Sequence, residues 1–234
     1  MEEIKEFVDD REQHYNNFAP VLDTALKPSD IITFGNYPQT ADGLYRKPIE
    51  WRVLQQSERE LFILSEYILD CKPYHAELTY VTWQNCDLRK WLNNDFYNAA
   101  FSSIEKSQIM TVLCTDNGEN SPDTEDKVFL LSVPEAKAFT DTSDGNKRRR
   151  TIGTEFSKVK KADGCQLYVY DKKVEKDYIV ENGERLGCSW WWLRTQQHES
   201  SSRADFVGPR SSIRSYGRVN LMRYGVRPAL KIKL

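Results

Sequence analysis

The residue types able to carry covalent or metal chemistry are few in this chain and poorly spaced for it. Cys71, Cys86, Cys114, Cys165 and Cys188 are odd in number, far apart and include no Cys-x-x-Cys pair. They read as scattered free thiols of a reducing compartment rather than a disulfide framework. His14, His75 and His198 do not cluster with them at ligand spacing, so no structural zinc is expected. No acidic cluster near the C-terminus offers calcium a cage. A serine–histidine–carboxylate set needs a histidine with an orienting partner. His198 stands in a polar stretch that supplies none, as a surface histidine does, and the carboxylates show no spacing that singles out an acid–base pair. The expectation is therefore no catalytic residue, no metal and no cofactor.

Noncovalent recognition is better served, by residues 196–224. Of these 29 residues, six are Ser, five Arg, two Tyr and one Asn. Tyr gives rigid amphipathic area, Arg gives planar charged donors, and Ser gives adaptable hydrogen bonds. The expected ligand contacts are His198, Ser200, Ser202, Arg203, Arg210, Ser212, Arg214, Tyr216, Arg218 and Arg223. Phe206 and Met222 join them, either as exposed anchors or as buried core. The bland alternative is an ordinary polar loop region, where Ser, Gly and Arg are common anyway.

Charge supports the recognition reading. The net charge of −2 hides an asymmetry, with seven acids against two bases over residues 1–26 and nine bases against two acids over residues 189–234. The basic end predicts acidic partners and salt-sensitive association. Lys147-Arg148-Arg149-Arg150 has no aromatic interleaving and reads as a solvated loop, not as a specific nucleic-acid site. No apolar run is long enough to span a bilayer. The acidic start, MEEIKEFVDD, is no secretory signal, so a cytoplasmic location is the default, with another export route or display on a phage left open.

The elements that must position these residues follow from hydrophobic period. Residues 2–26 space Ile4, Phe7, Val8, Tyr15, Phe18, Val21 and Leu22 helically, giving an N-terminal extension over residues 1–27 that could drive oligomerisation. Residues 31–34 read as a strand entering a Gly35-Asn36-Tyr37-Pro38 turn, and residues 49–54 and 61–65 as a hairpin about a charged turn. Leu88, Trp91, Leu92 and Phe96 predict helix over residues 86–93. Ser102 with Glu105, and Ser132 with Glu135, are capping boxes opening helices that end near Ile109 and Phe139, the second after a strand at residues 127–131. Residues 156–162 are a short helix, and 167–170 with 178–180 a hairpin or inserted ribbon. The end is short and strand-like, carrying Trp190-Trp191-Trp192. In a strand Trp190 and Trp192 share one face, either core or a platform for stacking sugars.

Several of these segments resemble a known family. Phe34-Gly35-Asn36-Tyr37-Pro38-Gln39, Pro48-Ile49-Glu50-Trp51-Arg52-Val53-Leu54, Ile68-Leu69-Asp70-Cys71-Lys72-Pro73-Tyr74, Leu88-Arg89-Lys90-Trp91-Leu92-Asn93 and Lys127-Val128-Phe129-Leu130-Leu131-Ser132 occur in its order. Trp191-Trp192-Leu193-Arg194 and Tyr224-Gly225-Val226-Arg227-Pro228-Ala229-Leu230 are its most specific marks. The family is an uncharacterised bacterial domain, widespread in gut Firmicutes and their mobile elements, and the likeness covers about residues 30–234. It resembles the C-type-lectin-like fold of formylglycine-generating enzymes, a fold also used by the variable proteins of diversity-generating retroelements. The resemblance implies an α+β, C-type-lectin-like domain over residues 28–234 with a variable face at 196–224. There, Ser, Arg, Tyr and Asn are types that adenine-directed mutagenesis can reach. It also implies that Arg194 and Arg227 are structural anchors. The reactive cysteine pair of the formylglycine-generating enzymes has no counterpart motif here, only Cys188 ahead of the tryptophans.

The functional expectation is a non-enzymatic binding protein with a protein or glycan ligand. An enzyme using Cys188 or a carboxylate, and an assembly protein built on the N-terminal helices, stay open beside it.

Overall fold

The computed structural model describes residues 26–138, 149–196 and 202–234. Its architecture is mixed α+β, mostly strands with few helices. The helical extension expected over residues 1–27 lies, but for Leu26 and Lys27, outside the described residues.

Strands β1 (Ile31–Pro38), β2 (Arg46–Gln56) and β3 (Glu60–Ser65) form an antiparallel meander. On β2 the period of two puts Ile49, Trp51 and Val53 in the core, each worth about 2–3 kcal/mol of burial. The Ser57 N–H donates to the Glu60 carbonyl at 2.9 Å, closing the expected hairpin. The expected turn at Gly35–Pro38 is instead strand. Register slips between Thr33 and Asn36, and Gly35 takes φ of +71°, so an extra residue is absorbed as a β-bulge. A Cβ at Gly35 would stand 2.6 Å from the Phe101 ring, so the bulge also seats the helices on the sheet.

After β4 (Asp70–Cys71), α1 (Asp87–Trp91) continues through a π-helical turn at Leu92–Phe96 into α2 (Tyr97–Ala100). Its apolar stripe, Leu88, Leu92 and Phe96, is buried as the spacing predicts. The Asn93 side chain at the π turn accepts from the Lys127 and Val128 N–H groups at 2.8 and 3.2 Å, and donates to the Val128 carbonyl at 2.9 Å. Residues 127–131, expected as a strand, are therefore held largely by a side chain and keep one bridge, Phe129 to Ala229. Ser102 and Glu105 form the expected capping box of α3 (Ser103–Gln108). β5 (Val112–Cys114) and β6 (Thr124–Asp126) make a short ribbon.

Reciprocal bonds between Ser132 and Glu135, 2.7 and 3.2 Å, open α4 (Val133–Ala138), as the capping pattern predicts. α5 (Glu155–Lys158) is shorter than expected. β7 (Tyr178–Glu181) pairs with β8 (Glu184–Gly187), not with residues 167–170. That segment instead lies along Met222 and Arg223, with Gln166 N–H to Met222 O at 2.9 Å and Tyr168 N–H to Arg223 O at 3.1 Å. The basic run read as a solvated loop is partly inside. Arg149 is buried and Arg150 donates to the Tyr178 carbonyl, while Lys147 and Arg148 lie outside the described residues.

The C-terminal strands are β9 (Trp191–Trp192), β10 (Arg203–Val207), β11 (Ile213–Arg218), β12 (Gly225–Val226) and β13 (Ala229–Lys233). A second sheet runs β11-β10-β9-β12-β4, and β13 crosses to pair with β3 in the first sheet, tying the two together. Two arginines brace the join, each 1% exposed. Arg227 donates to the carbonyls of Ser65 and Glu66 at 2.8 and 3.1 Å and lies over the Trp191 ring. Burial lowers its pKa to about 10. Arg194 donates to the Leu130 and Thr115 carbonyls (2.7 and 2.8 Å), to Asn117 Oδ1 (3.0 Å) and to both oxygens of Glu135 (2.5 and 3.0 Å). Both serve as the structural anchors expected of them.

Candidate ligand-binding surface

The β10–β11 hairpin is the edge of the second sheet, and its outer strand alternates strictly. Arg214, Tyr216 and Arg218 are exposed, while Gly217 between the last two is buried. Gly217 is required there: a Cβ would lie 2.8 Å from the Trp192 ring and 3.0 Å from the Ala204 carbonyl. Arg203 on β10 sits directly opposite Arg218, and both are exposed. Like charges so paired across strands repel. None of Arg203, Arg214, Arg218 and Arg223 forms an ion pair among the described residues. Their charge is left facing water.

Beside this hairpin an aromatic cluster climbs from the core to the surface. Tyr74 and Trp192 meet at 5.8 Å, Trp192 and Tyr224 at 4.5 Å, and Tyr224 touches Phe206 at 4.8 Å and Trp190 at 5.0 Å. Trp190 is half-buried. Tyr168 stacks on it at 4.9 Å and 22°, and Tyr170 meets it edge-on at 5.0 Å. Tyr216 stands edge-on over Phe206 at 5.3 Å. Tyr216 and Tyr168 are 57% and 41% exposed, so the cluster ends in two phenol rings in solvent with their inner edges fixed by packing. Burial raises the pKa of the Tyr224 and Tyr170 phenols, so both are neutral donors near neutral pH. Next to Tyr168 opens a groove of about 780 Å³ whose walls include Lys158, Lys160, Gln166, Met222 and Arg223.

These positions sort the expected contacts. Arg203, Arg214, Tyr216, Arg218, Met222 and Arg223 are exposed, on the hairpin or at the groove. His198 and Ser200 lie outside the described residues. Phe206 is core, 2% exposed, because it props Tyr216 from below. Arg210 is exposed but engaged: it holds buried Asp177 through two bonds of 2.5 and 3.0 Å, pinning the hairpin tip to the loop before β7. That bond keeps the Asp177 carboxyl below the usual range. Ser212 is half-buried and closes the hairpin, its carbonyl accepting the Gly208 N–H at 2.7 Å, and Ser202 receives the Val219 N–H at 3.0 Å. Arg210 serves structure through its side chain, whereas Ser212 and Ser202 make these contacts through their main-chain carbonyls alone.

Tyr168, Tyr170, Lys158 and Lys160 were not foreseen, and Tyr224 fell within the expected 196–224 window without being named as a contact. One signal was available, since Leu167, Tyr168, Val169 and Tyr170 alternate. Leu167 is buried and the two tyrosines share the other face. Of the three tryptophans, only Trp190 reaches the surface cluster, while Trp191 and Trp192 are core.

Two further groups bear on catalysis. Cys188 is fully buried and burial pushes its thiol pKa up, the reverse of an activated nucleophile. Asp205 on β10 is 1% exposed, and neither carboxylate oxygen has a hydrogen-bond partner among the described residues. Burial pushes its carboxyl up to about 7, with Lys137 pulling it part of the way back. Among the described residues, no three His, Cys, Asp or Glu side chains converge as a metal site, and no helix is long and apolar enough to cross a membrane.

Residues 58–234 match the family model of a domain of unknown function, DUF6273. No curated protein and no solved structure matches the chain.

Proposed function

The chain belongs to the DUF6273 domain family, and we propose that it is a non-enzymatic ligand-binding protein whose contact face is the β10–β11 hairpin together with the Tyr168–Trp190 cluster. The observation that carries this reading is the meeting of rigid exposed aromatics with arginines that, among the described residues, no carboxylate neutralises. Aromatic area held from below costs little entropy to immobilise, and unpaired guanidinium groups favour an anionic partner. The ligand in this reading is an acidic protein or glycan. The scaffold is of the C-type-lectin-like, formylglycine-generating-enzyme type, and the gene is that of a variable protein in a diversity-generating retroelement. The alternation on β11 supports it, since exposed and core-facing side chains are separated one by one along the strand. The burial and raised pKa of Cys188 weigh against the enzymatic alternative built on that thiol.

The test is an array of acidic and neutral glycans and peptides, read at two salt concentrations. Ligands captured by the wild-type chain should be lost by an R203A/R214A/R218A variant and by Y168A, with melting temperatures close to wild type. Capture that survives both variants, or preference for neutral ligands, would refute the proposed face. Sequencing the neighbouring DNA tests the retroelement: a near-copy of the 3′ coding segment differing at adenines is expected.

A further inference from the structure

Three short stretches wall the groove beside Tyr168, and backbone bonds fix them to one another. The middle one is residues 166–168. Its Gln166 and Tyr168 N–H groups reach the Met222 and Arg223 carbonyls on one side, at 2.9 and 3.1 Å. Its Leu167 N–H reaches the Ser157 carbonyl on the other side, at 3.2 Å. Leu167 is buried, so the side chains of Gln166 and Tyr168, two residues apart, are the ones turned outward to line the groove. Cations stand to either side of them: Lys158 and Lys160 at and just beyond the end of α5, and Arg223 across the strip. Among the described residues no carboxylate lines the groove. Lys158 is tied to Glu155 at 2.7 Å, whereas Lys160 and Arg223 are in no ion pair among those residues.

The Tyr168 ring is covered on one face. Trp190 stacks there, at 4.9 Å and 22°. Tyr170 lies 5.2 Å from Tyr168 and 5.0 Å from Trp190. A ring over the far face of Tyr168 would be much further from Trp190 than from Tyr168, so Tyr170 sits beside the stack. The exposure of Tyr168 therefore comes from its far face and outer edge. A flat aromatic surface, held from behind, is thus flanked by two cations that nothing described neutralises.

We propose that the groove is a subsite for one acidic pyranose unit of a glycan, a sugar ring bearing a carboxylate or a sulfate ester. This rests on the ligand-binding reading above and narrows its ligand from acidic macromolecules at large to acidic glycans. The apolar C–H face of the pyranose lies on the open face of Tyr168. Stacking on Trp190 already restricts that ring, so little motion remains to be frozen on binding. The anionic substituent takes the forked donors of Arg223 and the Nζ of Lys160. The Gln166 amide, which both donates and accepts, serves the ring hydroxyls. At about 780 Å³ the groove has the size of an ordinary small-ligand site. An acidic peptide side chain would use the two cations but leave the flat ring between them without a partner, which is why a sugar fits better.

The full chain is titrated by calorimetry with tetragalacturonate, its fully methyl-esterified form, a sulfated tetrasaccharide and hexaglutamate. At least one of the two acidic saccharides should bind, the pair telling carboxylate from sulfate, and the neutral ester should not. The K160A/R223A variant loses charge-assisted bonds and should bind at least about tenfold more weakly. The K47A/K233A variant removes two exposed charges from the first sheet instead and should match wild type. All should melt close to wild type. Equal binding of the ester, equal binding of hexaglutamate, wild-type affinity in K160A/R223A, or no binding of either acidic saccharide would overturn the proposal. If K160A/R223A binds as wild type while R203A/R214A/R218A loses its ligands on the array, the hairpin face stands and only the groove subsite falls.

Discussion

Asp205 is a carboxyl taken out of water with no hydrogen-bond partner among the described residues, and its cost should be readable as a slope of stability against pH. The groups facing it are Lys137, which favours its ionised form, and the Tyr74 phenol, whose own pKa burial raises. Its pKa in the unfolded chain is 3.8, and in the fold about 7. The folded state therefore binds this proton more tightly than the unfolded state. The resulting stability is fully present below 3.8 and is lost as pH rises toward and through about 7. At ~1.4 kcal/mol per pH unit, the whole gap is worth at most about 4 kcal/mol, of which roughly 2–3 kcal/mol falls between about pH 5 and pH 8. The perturbation is Asp205→Asn, which keeps the shape and cannot ionise. The assay is urea unfolding of both proteins at steps across that range. The stability difference should move in favour of the variant by roughly 2–3 kcal/mol from the acid to the alkaline end. Parallel curves at constant separation would refute the assignment, because every other titrating group is shared by the two chains and cancels.

Arg194→Met should lower stability by about 3–5 kcal/mol in the same assay, since it leaves Glu135, the buried Leu130 carbonyl and Asn117 Oδ1, and the part-buried Thr115 carbonyl without their donor; a loss under ~1 kcal/mol would mean the bonds are not made. Gly217→Ala should cost about 1–3 kcal/mol by forcing a methyl against the Trp192 ring, with a shift in near-ultraviolet dichroism; an unchanged melting curve would contradict the close packing of β11 on that indole.

Legibility in the sequence followed the range of the forces involved. Capping boxes at Ser102 and Ser132, the β2–β3 hairpin and the helical stripe from Leu88 to Phe96 are local devices, and each was visible in the residues that make it. The exposure of Arg214, Tyr216 and Arg218 was legible for the same reason, from composition and alternation. Distant partners were not. Residues 127–131 read as a strand, but the Asn93 side chain, some thirty-five residues away, occupies their backbone. Arg210 looked free because Asp177 sits beyond an intervening ribbon, and the tyrosines at 168 and 170 gain meaning only once Trp190 lies against them. Gly35 to Pro38 has the composition of a turn, and a bulge draws on the same glycine freedom.

Two bonds made by Arg227 and half of those made by Arg194 end on main-chain oxygens, at Ser65, Glu66, Thr115 and Leu130. A main-chain oxygen is present whatever amino acid occupies the position. Bracing of this kind is blind to spelling: it keeps its grip while neighbouring codons drift. Side-chain changes at those four acceptor positions therefore leave these bonds between the two sheets available, since each needs only the main chain there.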